Sequence, residues 1–295
     1  MTLTHKRKSI FSRLPIRVHS WGGLGSQIFA CVIARRLKAR FPNRRIVLVF
    51  HSAGVTYRGQ EVNENLTSSL STEFVDDYRS RELDKSVEPE NESKSLKRVL
   101  LKIMENCGFL ARLNEEQEFV SISSRVLEVR GHYTRMQLTR YEIDWVADSL
   151  NLMEEHQTSF DRESIAIHLR LGDLLTLKSK DHINLDRLDN ATKLVQGAKK
   201  LVIYSDSEPE VVLPLLERNF SKFSLEVLKV ATPLVMSSCM KSRVFIGTNS
   251  KISIWIAVLR LSLNLGEVTI LPKEIASQTS LLLKSISSPQ QLVNF

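Results

Sequence analysis

The sequence predicts an α/β protein in which two halves each alternate strands with helices. Apolar runs of strand length alternate with amphipathic stretches of helix length along most of the chain. A glycine-rich turn joins the first of these strands to the first helix, as in nucleotide-binding layers. The polar segment 155–163 separates the two halves, so we expect an N-terminal domain at 1–157 and a C-terminal domain at 158–295.

The N-terminal half opens with a strand, a turn and a helix. Residues 16–20 (IRVHS) alternate apolar and polar side chains as a strand does, and WGGLG at 21–25 forms the turn. Ser26 is expected to cap a helix that runs to about Arg40. The apolar run RRIVLVF at 44–50 predicts a second, fully buried strand, which completes a βαβ unit.

The rest of the chain continues the same alternation after a polar interval. Residues 54–94 are polar and acidic and are predicted to form loops and an exposed insertion. Further helices are expected at 96–112, 139–153, 185–198, 233–242 and 252–263. Further strands, with the loops that follow them, are expected at 126–136, 164–173, 200–206, 225–230, 243–250 and, as the last strand, 267–274.

Composition limits the class of protein and the kind of partner. The chain has 295 residues, 42% of them hydrophobic and 25% charged, which is enough for a core that folds without disulfides. A formal net charge of +8 favours an anionic partner such as a nucleic acid, a phosphorylated small molecule or an anionic membrane surface. Lysine and arginine are scattered and no nucleic-acid-binding motif occurs, so we expect no nucleic acid. A basic surface without a partner is the alternative.

Cysteine usage and the terminal segments indicate a cytoplasmic protein. Cys31, Cys107 and Cys239 lie far apart and have neither the spacing of a zinc site nor that of a redox pair. The first twenty residues are basic but lack the apolar run of a signal peptide. The apolar stretch 252–265 is interrupted by Arg260 and is too short to span a bilayer. We therefore expect a protein that makes at most peripheral contact with a membrane.

Polar residues at the ends of predicted strands are the candidates for chemistry. Ligand sites in α/β proteins lie at the carboxyl ends of strands. On that basis the candidate loops are 21–26, 168–173, 205–207 and 247–251.

The segment IHLRLGD at 167–173 is the first of these candidates. In an extended strand His168 and Arg170 point to the same side, and Asp173 lies just beyond a turn at Gly172. The planar guanidinium of an arginine can hold two phosphate oxygens and can stabilise the charge that develops on a leaving diphosphate. The alternative is a surface ion pair between Arg170 and Asp173, with His168 satisfied in the core.

The remaining candidate loops each allow two interpretations. GGLG at 22–25 could direct backbone N–H groups towards an anion, but it lacks the third glycine of a dinucleotide fingerprint and the Lys-Ser/Thr of a P-loop. A packing turn is the alternative. IYSDS at 203–207 and GTNS at 247–250 end strands with hydroxyl, carboxylate and amide groups, which either contact a ligand or cap the next helix.

Taken in order, these segments resemble the fucosyltransferase superfamily, and most closely the bacterial α-1,2-fucosyltransferase-like family. GGLGSQIF at 22–29 is similar to the family's Gly-Gly-Leu-Gly-Asn-Gln-Leu-Phe, and HLRLGD at 168–173 to its His-x-Arg-x-Gly-Asp. The family's strand ending in Ser-Asp, its Leu-Met-Ser-x-Cys helix and its Asn-Ser-x-Phe-Ser-Trp-Trp motif have weaker counterparts at 205–206, 235–239 and 249–255. The resemblance covers residues 16–272.

The resemblance implies a GT-B-like fold with two Rossmann-like domains facing a cleft. It also implies an inverting, metal-independent glycosyltransferase that transfers L-fucose from GDP-fucose to a glycan in surface polysaccharide or glycolipid synthesis. The acceptor and the glycine loop would belong to the N-terminal domain and the nucleotide sugar to the C-terminal one. No metal ligands and no cofactor other than the donor substrate are expected.

Individual roles also follow from the resemblance alone. Arg170 would bind the diphosphate and assist its departure, while His168 and Asp173 would order that loop or contact donor and acceptor. Asp173 is the first candidate for the general base and His19 the second. The other residues expected to contact the donor are Gly23, Gly25, Ser205, Asp206, Asn249 and Ser250, with Asp206 at the nucleoside and Asn249 and Ser250 at the phosphates or the sugar.

The sequence departs from the family pattern at the position after the conserved arginine. Leu171 stands where the family commonly has a second arginine, which removes one positive charge from the phosphate region. Two alternatives therefore stay open beside the fucosyltransferase hypothesis. One is a transferase of the same fold that uses another nucleotide sugar, and the other is a non-catalytic nucleotide- or glycan-binding relative.

Overall fold

The α/β class is confirmed by two parallel sheets with intervening helices. The computed structural model describes residues 13–52, 57, 59–77, 96–153, 163–171, 185–195, 197–286 and 291–295. The chain divides into two compact units, Met1–Met136 and Gln137–Phe295, and each contains one of the sheets.

The described part of the first unit contains a five-stranded sheet. Its strands are β1 (Ile16–Trp21), β2 (Ile46–His51), β3 (Ser71–Val75), β4 (Leu110–Arg112) and β5 (Glu128–Arg130). Its helices are α1 (Leu24–Arg40), α2 (Glu64–Thr67), α3 (Leu96–Asn106) and α4 (Glu116–Val120). The strand order is β3-β2-β1-β5-β4 and every neighbouring pair is parallel, so β1 is the central strand.

Helix α1 and the first two strands form the core of this unit. Ile16 and Val18 on β1 are fully buried, and all six residues of β2 are buried. Helix α1 packs on both strands and buries most of its length, including Ile28 and Phe29. The side chains that alternate with Ile16 and Val18 on β1 are polar or amphipathic, which is unusual for the central strand of a parallel sheet.

The described part of the second unit contains a six-stranded sheet. Its strands are β6 (Ser164–Leu169), β7 (Lys200–Ser205), β8 (Ser224–Leu228), β9 (Val244–Ile246), β10 (Val268–Leu271) and β11 (Gln291–Asn294). Its helices are α5 (Arg140–Ser149), α6 (Leu185–Lys193), α7 (Pro209–Phe220), α8 (Thr232–Lys241), α9 (Lys251–Leu263) and α10 (Lys273–Leu282). Buried aliphatic side chains of β6, β7 and β9 form the core with α6 and α7.

The strand order of the second sheet fixes where a ligand is expected. The order is β11-β10-β9-β6-β7-β8 and all pairs are parallel, so the chain winds outward from β6 in one direction and from β9 in the other. This is the doubly wound order of dinucleotide-binding folds. Its reversal lies between β6 and β9, and the carboxyl ends of these two strands form the expected ligand site.

Three predictions for the first half are wrong in detail. Helix α1 begins at Leu24 with Gly23 as its N-cap, and not after Ser26, because the Glu61 carboxylate accepts the Leu24 N–H at 3.0 Å. Residues 54–94 are not only loops, since α2 and β3 form there and β3 pairs with β2. The helix predicted at 96–112 ends at Asn106, and its last residues form β4.

Where the structure describes the second half, the predicted elements are confirmed with shifts at their ends, and three additional elements occur among the described residues. Helices α7 and α10 and strand β11 were not expected, so β10 is not the last strand. Pro214 lies inside α7 and works against its prediction as a helix. Among the described helices, none is both long enough and apolar enough to cross a membrane.

The division between the units precedes the predicted boundary at 157. Helix α5, which the prediction assigned to the N-terminal half, packs on α9 and so belongs to the second unit. The Leu138 N–H donates to the Leu282 carbonyl at 2.8 Å, and the Arg140 guanidinium donates to the Ser262 carbonyl. These contacts fix α5 and its preceding loop on the second unit.

Candidate functional site

The candidate site lies at the carboxyl ends of β6 and β9, where the strand order of the second unit reverses. His168 is the next-to-last residue of β6, and Arg170 follows the strand directly. Residues 247–250 follow β9 and lead into α9. Two segments of the sequence-predicted site are therefore neighbours because their strands pair in parallel.

Side chains from two other strand ends hold the backbone at the end of β6, up to Leu171. Thr248 Oγ1 donates to the His168 carbonyl at 2.9 Å and accepts the Arg170 N–H at 3.4 Å. Asp206, which follows β7, accepts the Leu171 N–H through Oδ1 at 2.8 Å. The backbone around Arg170 is thus fixed from both sides, so its side chain leaves from a defined position.

His168 is tied to the start of α9 through two serines. Its Nδ1 lies 2.8 Å from Ser253 Oγ and 3.4 Å from Ser250 Oγ. Ser253 Oγ accepts the Thr248 N–H at 3.1 Å, so its own hydrogen can be donated to His168 Nδ1. In this arrangement His168 carries its hydrogen on Nε2.

The imidazole of His168 is neutral at pH 7. Burial lowers the pKa of His168 to about 4; the charge of Asp206 opposes this effect and the charge of Arg170 reinforces it. A neutral imidazole with its hydrogen on Nε2 is a hydrogen-bond donor and does not act as a cation. The positive charge at this strand end is therefore that of Arg170.

The N-terminus of α9 adds a second positive feature. Ser250 is the N-cap, and its hydroxyl oxygen accepts the Ser253 N–H at 3.1 Å. No acidic residue lies in the first turn of α9, which begins with Lys251, and Asn249 is exposed just before the cap. Because the N-terminal end of a helix dipole is positive, this end and the guanidinium of Arg170 together suit a phosphate or diphosphate.

Gly247 allows the start of α9 to come close to the sheet, a role that the sequence analysis missed. A Cβ atom at this position would lie 2.6 Å from Leu271 Cδ2 and 2.9 Å from Ser253 Cβ. Only glycine fits there without a shift of its neighbours. The one sequence signal was a glycine directly after an apolar run, IGTNS.

The structure brings together His168, Arg170, Asp206, Asn249 and Ser250, all predicted donor or catalytic residues. Ser205 is also at this edge, but it is buried and its hydroxyl accepts the Ser207 N–H at 3.2 Å, so it shapes the loop after β7. Asp173, the first candidate for the general base, lies outside the described residues and its role stays a prediction.

Gly23 and Gly25 lie in the first unit, where a carboxylate occupies the helix end that a phosphate would need. Glu61 accepts the Leu24 N–H, and a Cβ on Gly23 would lie 3.0 Å from Glu61 Oε1. Gln27 holds the backbone at Glu61 in position, because the Gln27 Oε1 accepts the Glu61 N–H at 2.8 Å. Donor binding by Gly23 and Gly25 stays a prediction, and it requires Glu61 to move.

His19, the second candidate for the general base, lies in a cluster that the sequence analysis did not foresee. Both of its ring nitrogens have hydrogen-bond partners, His51 on one side and Glu128 on the other. These partners lie far from His19 in the sequence, so no local motif predicts the cluster. The available signal was the polar set of side chains on β1, a strand that the flanking apolar residues predict to be buried.

Metal-ligating residues do not converge within the part of the chain that the structure describes. No group of three or more His, Cys, Asp or Glu side chains is placed there to hold an ion. Cys31 and Cys239 are buried and Cys107 is exposed, and all three are reduced thiols. Burial raises the pKa of the Cys31 and Cys239 thiols well above their usual range, so neither is a thiolate at pH 7.

Comparisons of sequence find no known family. No protein-family model matches the chain, and a search of curated proteins gives no match.

Comparisons of structure find several glycosyltransferases at low similarity. The α-1,6-fucosyltransferase NodZ, crystallised with GDP, shares 13% identity and a TM-score of 0.42, over 84% of this chain and 92% of its own. A glycosyl transferase of family 9 from Veillonella parvula shares 13% identity and a TM-score of 0.43, over 95% of this chain and 87% of its own. The E. coli heptosyltransferase WaaC with ADP shares 12% identity and a TM-score of 0.40, over 96% and 93%. At TM-scores below 0.5 these similarities carry no argument about function.

Proposed function

We propose that the protein is a glycosyltransferase that binds the diphosphate of a nucleotide sugar at the carboxyl ends of β6 and β9. The observation that carries this proposal is the combination of Arg170 with the positive N-terminus of α9, whose first turn lacks any acidic residue. The order of the sequence motifs, from the glycine loop to NSKISIW, supports the choice of a sugar nucleotide over other phosphorylated ligands.

Each site residue has a task in this reaction. Arg170 holds the diphosphate and stabilises the charge that develops as it leaves. His168 donates through Nε2, and the α9 backbone with Asn249 and Ser250 contributes dipolar donors. Asp206 keeps the β6 loop in place and contacts the nucleoside. A guanidinium and a helix N-terminus neutralise the diphosphate here, so the proposed reaction needs no metal ion.

The reaction is an inverting transfer to a hydroxyl group. A glycan hydroxyl forms the new bond to the anomeric carbon as the nucleoside diphosphate leaves with the electrons of the old bond. GDP-fucose is the proposed donor and a surface polysaccharide or glycolipid precursor the proposed acceptor, handled in the cytoplasm with at most peripheral membrane contact. The GT-B-like architecture implied by the sequence resemblance belongs to the same proposal.

The presence of Leu171 beside Arg170 favours two alternatives to a GDP-fucose transferase. Leu171 is a buried apolar residue directly beside Arg170, so the phosphate region has one cation fewer than the resemblance implies. Another nucleotide sugar would then be the donor, or the protein would bind nucleotide or glycan without turnover.

Replacement of Arg170 tests the proposal through turnover. Arg170→Ala should lower nucleoside diphosphate release from GDP-fucose, in the presence of a glycan acceptor mixture, by about 10²-fold or more, because a partner of the transition-state charge is lost. Release is measured by a coupled assay for the diphosphate. Arg218→Ala, at an exposed arginine of α7, is the matched control and should retain the wild-type rate. An unchanged rate in folded Arg170→Ala would remove this residue from the mechanism.

A further inference from the structure

A chain of four titratable side chains crosses the polar side of β1 in the first unit. His51 Nδ1 lies 2.6 Å from Asp77 Oδ2, and His51 Nε2 lies 2.8 Å from His19 Nδ1. The other ring nitrogen of His19, Nε2, contacts Glu128 Oε2. Both imidazoles are about 95% buried, with 5% and 6% of their surface exposed. The chain is therefore continuous, Asp77–His51–His19–Glu128, and largely shielded from water.

The two ends of the chain lie at different depths in the sheet. His51 is the last residue of β2 and Asp77 follows the end of β3, so this end lies at the carboxyl edge where ligands bind to parallel sheets. Glu128 is the first residue of β5 and pairs in register with Arg17 near the start of β1. The chain thus leads from the ligand edge into the sheet.

The number of hydrogens in the chain determines what it can accept. Its three contacts need one hydrogen each, and two neutral imidazoles supply two, so with both carboxylates ionised one contact lacks a hydrogen. One additional proton completes the chain. A second additional proton would have to bind a carboxylate or the one accepting nitrogen of the His19–His51 contact, where two N–H groups would then face each other. The four residues therefore form an acceptor for a single proton.

Burial and the nearby arginines keep the chain without its additional proton at pH 7. Burial lowers the pKa of His19; hydrogen bonding to Glu128 opposes this effect, and the charges of Arg130 and Arg17 reinforce it. Burial lowers the pKa of His51 as well, against the hydrogen bond to Asp77. Burial opposes ionisation of Glu128, but the hydrogen bond from His19 and the nearby arginines prevail and lower its pKa. Within the described residues, further titratable groups beside the chain are Glu73, which pairs with Arg17, and Tyr133, which donates to the His19 carbonyl.

Trp21 supplies an independent indication that a ligand binds at this edge. Its ring stacks on His51 with centroids 4.6 Å apart, at the same register position in the neighbouring strand. Its Nε1 is buried and has no hydrogen-bond partner within the described residues. A buried indole N–H without an acceptor is costly, and a ligand oxygen would satisfy it.

We propose that Asp77 is the general base of the first unit, that it accepts the proton of a ligand hydroxyl held near Trp21, and that His51, His19 and Glu128 store that proton. This inference rests on the proposed transferase function, in which the hydroxyl belongs to the glycan acceptor. The O–H bond breaks and its proton goes to the Asp77 carboxylate, then to His51 and along the chain. The electron pair of the hydroxyl oxygen forms the bond to the anomeric carbon, and the diphosphate leaves with the electrons of the bond that breaks.

Asp77 takes the place of His19, the second candidate for the general base in the sequence analysis. Because both nitrogens of His19 are engaged inside the chain, this residue cannot face a ligand hydroxyl. It acts on the substrate only through His51 and Asp77, and is a positioning and proton-storing residue.

Asp77→Asn tests the base, and Asp76→Asn is its matched control. An amide at 77 cannot take up the proton, so turnover with GDP-fucose and acceptor mixture should fall by about 10²- to 10⁴-fold. The neighbouring Asp76 accepts from Ser52 Oγ, a bond that asparagine keeps, and its variant should match the wild type. The wild-type rate should also fall with decreasing pH as the chain fills, and Asp77→Asn should lose this dependence. Circular dichroism verifies folding, and His51→Gln, which interrupts the chain at its second member, replaces Asp77→Asn if the latter is unfolded.

Nitrogen NMR of the full chain with ¹⁵N-labelled histidine provides a readout that does not need turnover. The ring signals of His19 and His51 should move together in one step that takes up one proton as the pH falls below 6.5, because burial lowers the pKa of both residues. Two independent steps would overturn the shared chain. If the wild type is active and the turnover of Asp77→Asn equals that of Asp76→Asn, the assignment of Asp77 as the base is wrong while the proposed function stands. If the wild type turns over no nucleotide sugar, the proposed function fails and the base assignment with it, whatever the NMR titration shows.

Discussion

At the scale of single residues, His19 on β1 and His168 on β6 behave differently because their partners differ. His168 lies against the hydroxyl groups of Ser250 and Ser253, and because its pKa is lowered it adds no positive charge beside Arg170 at pH 7. His19 faces a carboxylate and a second imidazole, and so shares a proton. The sequence predicts that both residues are near a site, but hydrogen-bond partners from distant parts of the chain decide what each can do.

The lowered pKa of His168 predicts how stability depends on pH. Below pH 6.5 His168 is protonated in the unfolded chain, whereas in the folded protein it is protonated only near pH 4. The contribution of His168 to the free energy of unfolding is therefore complete above pH 6.5 and is lost as the pH falls towards 4. The gap corresponds to at most about 3 kcal/mol. Urea unfolding at several pH values should show a flatter dependence for His168→Asn than for the wild type.

The control for this prediction is His132→Asn, at an exposed histidine of the first unit. It should leave the slope of stability against pH unchanged. Equal slopes for His168→Asn and the wild type would contradict a neutral, partly buried His168.

At the scale of secondary-structure elements, α9 connects the site to the core of the second unit. Its N-terminus is the end for which we propose diphosphate binding, and its buried Arg260 donates to the carbonyl groups of Cys239, Ser242 and Val268. In the sequence Arg260 only interrupts an apolar run; in the structure it joins α9 to the end of α8 and the start of β10. Burial lowers the pKa of Arg260 to about 10, which still leaves it protonated at pH 7.

The close approach of α9 to the sheet predicts the effect of a single methyl group. Gly247→Ala should lower the free energy of unfolding by about 1–3 kcal/mol, because the new Cβ would overlap Leu271 and Ser253. Gly59→Ala is the control, since no atom lies within 4 Å of a Cβ built there, and it should change stability by less than about 0.5 kcal/mol. Chemical denaturation measures both. Equal stabilities would show that the start of α9 can shift at little cost.

The elements also show why part of the site escaped prediction. The spacing of apolar residues and the continuous apolar runs identify β1, β6, β7 and β9 and the helices that follow them. The loops at the carboxyl ends of these strands contain most of the candidate residues. Glu61 and Asp77 lie in the polar stretch 54–94, where no apolar period indicates structure. Their roles come from tertiary contacts, with Leu24 and with His51, which a local pattern does not specify.

At the scale of the whole molecule, each of the two units contains one parallel sheet and one of the two residue groups described above. The doubly wound sheet of Gln137–Phe295 presents a guanidinium and a helix N-terminus at its switch point. The sheet of Met1–Met136 contains a hydrogen-bonded chain of two histidines and two carboxylates, contributed by β1, β2, β5 and the end of β3, for which we propose the proton-accepting role. The sequence predicts the α/β class and the alternation of elements, but the boundary between the units depends on the packing of α5 against α9.

The central claim is that the second unit binds a nucleoside diphosphate through Arg170, and a thermal-shift titration tests it most directly. GDP, UDP, ADP and CMP are titrated with and without magnesium into the wild type, Arg170→Ala and Arg218→Ala. A ligand that binds only the folded protein adds about 2.7 kcal/mol of stability at about 100 times its Kd. We predict a shift with GDP that needs no magnesium, that Arg218→Ala retains and that Arg170→Ala largely loses. A shift with a different nucleotide would change the donor, whereas no shift with any nucleotide, or an equal shift in Arg170→Ala, would contradict the claim.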